Sequence, residues 1–207
     1  MADCCDGEVD TRALAKRERR VLLIVTVINA ASFVMMVAAA SFSGSSVLLS
    51  GALDNFGDAV TYALSFLVVG ATAAAKARVA LFKGVMILAA AIAVVIQIGW
   101  RVANPGVPIF EAIGVAGILN LGANSICLWL LMPYKTGDIN MSSAWECSRN
   151  DVLEGLAVIV TAAAVWALDS GWPDLVVAAV LLALFLHSAS RVVSNAVRAL
   201  RVAEARV

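Results

Sequence analysis

Four acidic side chains lie deep inside apolar stretches of this sequence, where carboxylates are costly. Asp54 and Asp58 fall within one apolar run, and Asp151 and Glu154 fall within another. An acidic residue at the centre of a membrane helix costs about 2.5–3.5 kcal/mol on insertion scales. Arg149 is the only base of the apolar runs that is close to these acids in the sequence, so ion pairing cannot neutralise the set. Protons, a bound cation, or both must do so.

The spacing of these residues fits one cation held between two helices. Asp54 and Asp58 are four residues apart, so a helix would place both on one face, one turn from each other. Cys147 and Asp151 have the same spacing. If the two helices pack together, two carboxylates face a thiolate and a carboxylate, which is enough for a tetrahedral Zn²⁺ or Cd²⁺. The sulfur ligand favours these softer ions over Mg²⁺ or Mn²⁺.

Other candidate residues carry weaker signals. Glu154 has two interpretations. It either lies just outside the metal ligands and supports them or handles protons, or its side chain extends to the membrane surface. Cys4 and Cys5, flanked by acids near the N-terminus, are a candidate soft-metal pair or part of a disordered tail. Cys147 has a second interpretation as a small apolar packing residue.

The amino-acid composition indicates that the segments carrying these residues lie in a membrane. Of the 207 residues, 62% are hydrophobic and 14% are charged, whereas soluble domains average about 45–50% and about 25%. Fifteen acids and fifteen bases are too few to cover the surface of a soluble domain of this length. The formal net charge of zero argues against nucleic-acid binding. We therefore predict a polytopic membrane protein.

Six apolar runs are long enough to span a bilayer as helices, at about 20 residues each. Short segments rich in Gly, Pro, Ser and Asn separate them, and their continuous hydrophobicity is unlike the alternating strands of a membrane barrel. The predicted fold is all-α, with spans at 21–41, 47–72, 84–102, 109–132, 142–168 and 173–190. These spans form one transmembrane domain (21–190) between an N-terminal tail (1–20) and a C-terminal helix extension (191–207).

The distribution of Lys and Arg predicts the orientation of the spans. With six spans, both terminal segments and the connections after the second and fourth spans lie on one side of the membrane. Fourteen of the fifteen bases fall in or beside these segments, and Arg101 alone falls on the opposite side. Cytoplasmic segments carry the excess of bases in membrane proteins. Both termini are therefore predicted to be cytoplasmic.

Three segments of the sequence resemble motifs of the cation diffusion facilitator family. Residues 48–59 (Leu-Leu-Ser-Gly-Ala-Leu-Asp-Asn-Phe-Gly-Asp-Ala) are similar to the second-helix motif, in which two acids, or His and Asp, stand four apart after a run of small residues. Residues 150–153 (Asn-Asp-Val-Leu) are similar to the fifth-helix motif. Residues 171–174 (Gly-Trp-Pro-Asp) resemble the turn before the sixth helix. The resemblance extends over nearly the whole chain.

The resemblance implies an antiporter of divalent metal ions and protons, with a tetrahedral site between the second and fifth helices that opens alternately to each side. By motif, its ligands are Asp54, Asp58, Cys147 and Asp151. The sequence departs from the family at Cys147, where His or Asp is usual, and at Gly51, where an acid is often found. Cys147 adds Cd²⁺ or another thiophilic ion to Zn²⁺ as the expected cargo. No permanently bound cofactor is implied.

The resemblance also sets expectations for partners and location. We expect a multi-pass protein of a bacterial cytoplasmic membrane, whose partners are divalent metal ions, protons and the lipid bilayer. We further expect a homodimer and a short family member without the usual C-terminal cytoplasmic domain.

Two other functions remain open from the residues alone. A small proton-coupled exporter of organic cations would also use an intramembrane acid, with Phe56, Tyr62 and Trp166 as its aromatic support. A non-transporting metal-binding membrane subunit is the second alternative. An enzyme is not expected, because the spans contain neither His-Glu-x-x-His nor Gly-x-Ser-x-Gly.

Overall fold

A computed structural model describes residues 11–67, 73–136 and 139–204. The regular structure of these residues is helical throughout, with no β-strand among them. The six helices are α1 (Thr11–Ser43), α2 (Ser46–Leu67), α3 (Ala73–Ala103), α4 (Phe110–Leu131), α5 (Ile139–Leu168) and α6 (Trp172–Glu204), and a short 3₁₀ turn (Met132–Tyr134) follows α4. The predicted all-α class and the number of helices are therefore confirmed.

Several helices extend beyond the predicted spans. Helix α1 begins at Thr11 and α6 continues to Glu204, so both include charged residues outside the apolar runs. The predicted spans give only the apolar part of each helix, because hydropathy does not mark charged turns, whereas backbone hydrogen bonding continues through Lys and Arg, which are good helix formers. The last residues of the predicted second span, 68–72, lie outside the described ranges.

The surface of the bundle is that of a membrane protein. Within the described ranges, three segments are long and apolar enough to cross a bilayer, namely Lys16–Ser43, Phe110–Tyr134 and Cys147–Leu168. Shorter apolar segments occupy α3 and α6, at Ala91–Ala103 and Trp172–Leu184. Large apolar side chains point outward on all these helices, as in Val34, Ile96 and Val160, which are 65%, 66% and 67% exposed. A soluble protein rarely exposes so much contiguous apolar surface, and the chain is a polytopic membrane protein.

The turns between helices at the end opposite the chain termini follow from local residue chemistry. Helix α1 ends at Gly44, which adopts a left-handed backbone conformation (φ 69°) and donates its N–H to the carbonyl of Ala40 at 2.9 Å. Glycine is favoured at this position because it has no Cβ to collide with the backbone. Asp169 adopts the same region (φ 46°) after α5, and Pro173 sits in the first turn of α6, where its missing N–H costs no hydrogen bond.

The helices pack as a group of four with a pair beside it. Helices α1, α2, α4 and α5 contact one another in a ring, with the most extensive packing between α1 and α2 and between α4 and α5. Helix α3 packs chiefly on α6, and this pair contacts α2 and, through α6, α5. The arrangement brings α2 and α5 together, as the predicted site requires.

Two apolar clusters fill the interior of the group of four helices. The far-end cluster, opposite the chain termini, consists of Met36, Ala40, Val47, Leu48, Ala52, Ile113, Ala116, Val158, Ala162, Val165 and Ala178. The terminal-end cluster consists of Leu22, Val25, Tyr62, Cys127, Leu131 and Ala144. On α2 and on α5 alike, the two intramembrane acids of the helix lie between the residues that it contributes to the two clusters. A polar layer therefore lies between two apolar barriers at mid-depth.

Candidate metal site

The two acids of α2 occupy the middle of that helix. Asp54 is half-buried and Asp58 is buried, with 8% of its surface exposed. They lie one turn apart on the face that α2 presents towards α5, as their spacing predicts. Neither side chain is isolated, because both make contacts within the bundle.

Helix α5 supplies the opposing groups. Asp151 is buried, with 5% of its surface exposed, and Glu154 is half-buried less than one turn further along. The carboxyl groups of Asp151 and Asp58 approach closely enough to hydrogen-bond, and the same holds for Glu154 and Asp54. The four acids therefore form two carboxyl pairs, each joining α2 to α5.

Cys147 stands at the edge of this layer. It is a free, half-buried thiol on α5, one turn before Asp151 towards the chain termini, and it interacts electrostatically with that acid. One oxygen of Asp151, Oδ2, is buried without a hydrogen-bond partner among the described residues. A buried carboxylate oxygen with no donor is a favourable acceptor for a proton or a cation.

The acids do not form a closed coordination sphere in this conformation. Within residues 11–67, 73–136 and 139–204, no three His, Cys, Asp or Glu side chains converge tightly enough to hold a metal ion. In this conformation the acids are paired across the two helices, Asp54 with Glu154 and Asp58 with Asp151. Cys4 and Cys5 lie outside the described residues.

Arg149, the base closest to the acids in the sequence, is exposed on α5. Its guanidinium carbon lies 5.4 Å from the centroid of the Trp145 ring, a cation–π distance. Arg149 and Trp145 are one turn apart on the same helix, so this contact is local. The cation therefore stacks on a neighbouring ring at the surface of the bundle.

Two residues that the sequence analysis did not place at the site contact it. The hydroxyl of Tyr62 lies 3.0 Å from Asp58 Oδ2 and 3.3 Å from the hydroxyl of Ser148. The signal was available in the spacing, because Asp54, Asp58 and Tyr62 repeat every four residues along one face of α2. From the sequence, Tyr62 is indicated only as an aromatic contact for an organic cation.

Buried asparagines link α4 to α2 and to α1. The side-chain N–H of Asn55 donates to Asn120 Oδ1 at 3.0 Å and to the carbonyl of Gly51 at 2.9 Å. A second amide, Asn29 on α1, donates to the sulfur of Cys127 on α4 at 3.8 Å. Such hydrogen bonds are typical of helix contacts in membranes. The bond between Asn55 and Asn120 helps to fix the rotation of α2, and hence the face that carries its acids.

The glycine that replaces an acid of the family motif is closely packed. A Cβ atom built on Gly51 would lie 2.9 Å from the terminal methyl of Met36 on α1. A carboxylate at this position would therefore have to displace Met36 from the far-end cluster. Small size at residue 51 allows the close packing of α1 on α2.

Comparison with known families identifies the family of the chain. The family model of the cation efflux transmembrane domain matches residues 22–201, which include parts of all six helices. This match confirms the resemblance to the cation diffusion facilitators. A search of curated proteins found no match. Because the matched region covers most of the chain, the protein belongs to the cation efflux family, whose members transport metal cations across membranes.

Proposed function

We propose that this protein exports divalent cations such as Zn²⁺ and Cd²⁺ in exchange for protons, by alternating access to a site between α2 and α5. The observation that carries the proposal is the double carboxyl pair of Asp54, Asp58, Asp151 and Glu154 in the polar layer. Burying carboxylates without compensation is prohibitively costly. The four carboxyl groups therefore require bound positive charge, as protons or as a metal cation.

Competition for the same oxygens explains exchange. Two buried carboxyl groups in contact cannot both carry a negative charge at low cost, so in the absence of a metal each pair retains a proton. A dication that binds to the layer replaces those protons, because metal ligands must be deprotonated. Release of the metal on the opposite side is then coupled to reprotonation. The number of protons exchanged for each metal ion depends on which of the acids bind the metal.

The proposed ligands are Asp54, Asp58, Cys147 and Asp151. Zn²⁺ requires oxygens at about 2.0–2.2 Å and a sulfur at about 2.3 Å in a tetrahedral arrangement. To form this tetrahedral arrangement from the present conformation, Asp54 must leave Glu154 and turn towards Asp58 and Asp151. In this proposal Glu154 is not a ligand: it accepts or holds the proton of its pair while the metal is bound.

The two apolar clusters are the proposed barriers of the cycle. The terminal-end cluster closes the layer on the side predicted to be cytoplasmic, and the far-end cluster closes it on the other side. The side chains of both clusters are apolar apart from the hydroxyl of Tyr62 and the thiol of Cys127, so alternating access for a hydrated ion requires the clusters to part in turn. The paired helices α3 and α6 lie beside α2 and are placed to move with it.

Proton flux in vesicles that contain the purified protein tests the proposal. Addition of Zn²⁺ or Cd²⁺ should drive protons in the opposite direction, and Asp58→Ala and Asp151→Ala should each abolish that flux. Asp169→Asn is the matched control, since Asp169 is exposed in a turn and asparagine tolerates its backbone conformation. Metal-driven proton flux that persists in both aspartate variants would refute the proposed site.

The same vesicles separate the two other functions. An exporter of organic cations would transport a lipophilic cation such as tetraphenylphosphonium in preference to Zn²⁺ or Cd²⁺. A non-transporting subunit would bind the metal ion without moving it or any protons. Either result with the wild-type protein would replace the proposed function.

A further inference from the structure

Tyr62 is the largest fully buried side chain among the described residues, with 1% of its surface exposed. It lies on α2 one turn beyond Asp58, on the side of the polar layer that faces the chain termini. Its ring belongs to the terminal-end cluster, where it packs with residues of α1, α4 and α5. Its hydroxyl is the part of the cluster that reaches the acids.

Three oxygens surround this hydroxyl. Asp58 Oδ2 lies at 3.0 Å, the hydroxyl of Ser148 at 3.3 Å, and the carbonyl of Ala144 at 3.4 Å. A tyrosine hydroxyl has one proton to donate and can also accept. The shortest contact and the acidic acceptor both favour donation to Asp58. The hydroxyl of Ser148 can then donate to the phenolic oxygen.

We propose that Tyr62 is a positioning residue for metal binding, which holds Asp58 Oδ2 in the orientation that the transported cation requires. The inference rests on the proposed function and assigns to Tyr62 one contribution to the affinity of the proposed site for the metal ion. A carboxylate held by a hydrogen bond loses less rotational freedom when it coordinates a metal ion. Partners that orient the ligands of metal sites typically contribute about 10–100-fold in metal affinity or activity.

Among the proposed ligands, Asp58 is the one to which the Tyr62 hydroxyl is seen to hydrogen-bond in the described residues. The other groups in contact with its hydroxyl, Ser148 and Ala144, belong to α5 and precede Asp151 on the same side of the polar layer. Tyr62 therefore connects a proposed ligand of α2 to the backbone and a side chain of α5. Removing the hydroxyl alone leaves the ring, and thus the packing of the terminal-end cluster, in place.

Tyr62→Phe tests the inference in the full-length protein. Titration with Cd²⁺ alone in detergent should show a dissociation constant at least tenfold higher than that of the wild type. The KM for Cd²⁺ in vesicles should rise by a similar factor, with the maximal rate within about twofold, as expected for the loss of a ligand-orienting contact. Ser148→Ala, which leaves the Tyr62–Asp58 contact intact, should have a smaller effect.

Tyr134→Phe is the matched control. Tyr134 is the other tyrosine of the chain, and it packs against the same terminal-end cluster from the 3₁₀ turn. Its substitution should leave the dissociation constant and KM unchanged. Thermal unfolding of each variant measures any purely structural contribution of the lost hydroxyl.

The outcomes separate the inference from the proposed function. Wild-type protein that neither binds nor transports Cd²⁺ would refute the function. Wild-type protein that does both, with an unchanged dissociation constant in Tyr62→Phe, would refute the inference alone. A lower unfolding temperature in Tyr62→Phe with unchanged affinity would assign the hydroxyl to stability and would also refute it.

Discussion

The carboxylate of Asp174, in the first turn of α6, caps the start of α2 by accepting the backbone N–H of Ser46 at 2.7 Å. Its other oxygen accepts the N–H of Val47 at 3.3 Å and the hydroxyl of Ser45. Ser45 in turn accepts the N–H of Leu48 at 3.2 Å. The backbone donors of Ser46, Val47 and Leu48 at the start of α2 are therefore all satisfied, and the two partners of the main contact, Ser46 and Asp174, are 128 positions apart in the chain. This cap fixes the height of α2, and hence of its acids, relative to α6.

Asp174→Ala should destabilise the protein by about 1–3 kcal/mol, because it leaves buried donors at the helix start without an acceptor. Asp174→Asn, which retains one acceptor oxygen, should lose less. Chemical or thermal unfolding in detergent measures the change. Asp169→Asn is the control at an exposed acid five residues earlier. Equal stability of Asp174→Ala and the wild type would show that the cap contributes nothing.

Gly171→Ala should destabilise the same end of the bundle. A Cβ on Gly171 would collide with the carbonyl oxygen of Gly106, a backbone atom of the loop between α3 and α4. Forcing extra atoms into a packed site typically costs about 1–3 kcal/mol. The control is Gly122→Ala on α4, where a Cβ would have no neighbour within 4 Å. Unfolding temperatures of the two variants should differ, with Gly171→Ala the lower; the reverse order would contradict the contact.

Cys147→Ser should lower the preference for Cd²⁺ over Zn²⁺, because oxygen is a harder ligand than sulfur. Cys147→His should favour Zn²⁺, since imidazole suits that ion. Competition between the two ions for transport into vesicles gives the ratio directly. Cys127→Ser provides the control, as Cys127 is a buried thiol of the terminal-end cluster on α4. An unaltered ratio in both Cys147 variants would remove the thiol from the ligand set.

Glu154→Gln should weaken proton coupling more than metal binding. The amide preserves the shape of the side chain and its contact with Asp54 but cannot accept or release a proton at this site. We expect fewer protons moved per metal ion, with a dissociation constant for Zn²⁺ within a few-fold of the wild type. Proton and metal fluxes recorded in the same vesicles give the ratio. Glu111→Gln, at an exposed position in the first turn of α4, should leave it unchanged. If Glu154→Gln abolishes metal binding altogether, Glu154 is a ligand.

Local pattern was sufficient to predict the membrane class and the two helices that carry the intramembrane acids. Hydropathy is a property of short windows, so the apolar runs could be counted without knowing how they pack. Helical periodicity placed Asp54 and Asp58 on one face of α2, and the structure has them there. The same periodicity could have included Tyr62. Its hydroxyl was overlooked because Tyr62 was considered only for its aromatic ring, as a contact for an organic cation.

The sequence by itself determined that there are six apolar helices and that two of them carry acids within their apolar stretches, because membrane solvation and helix geometry act residue by residue. Only the tertiary structure decided which acids meet: Asp58 with Asp151, and Asp54 with Glu154. It also decided that Asp174 would cap α2 from a helix far along the chain. Such pairings depend on the rotation and height of each helix against its neighbours. Those two quantities are set by the packing of all the helices together, and no local pattern of residues contains them.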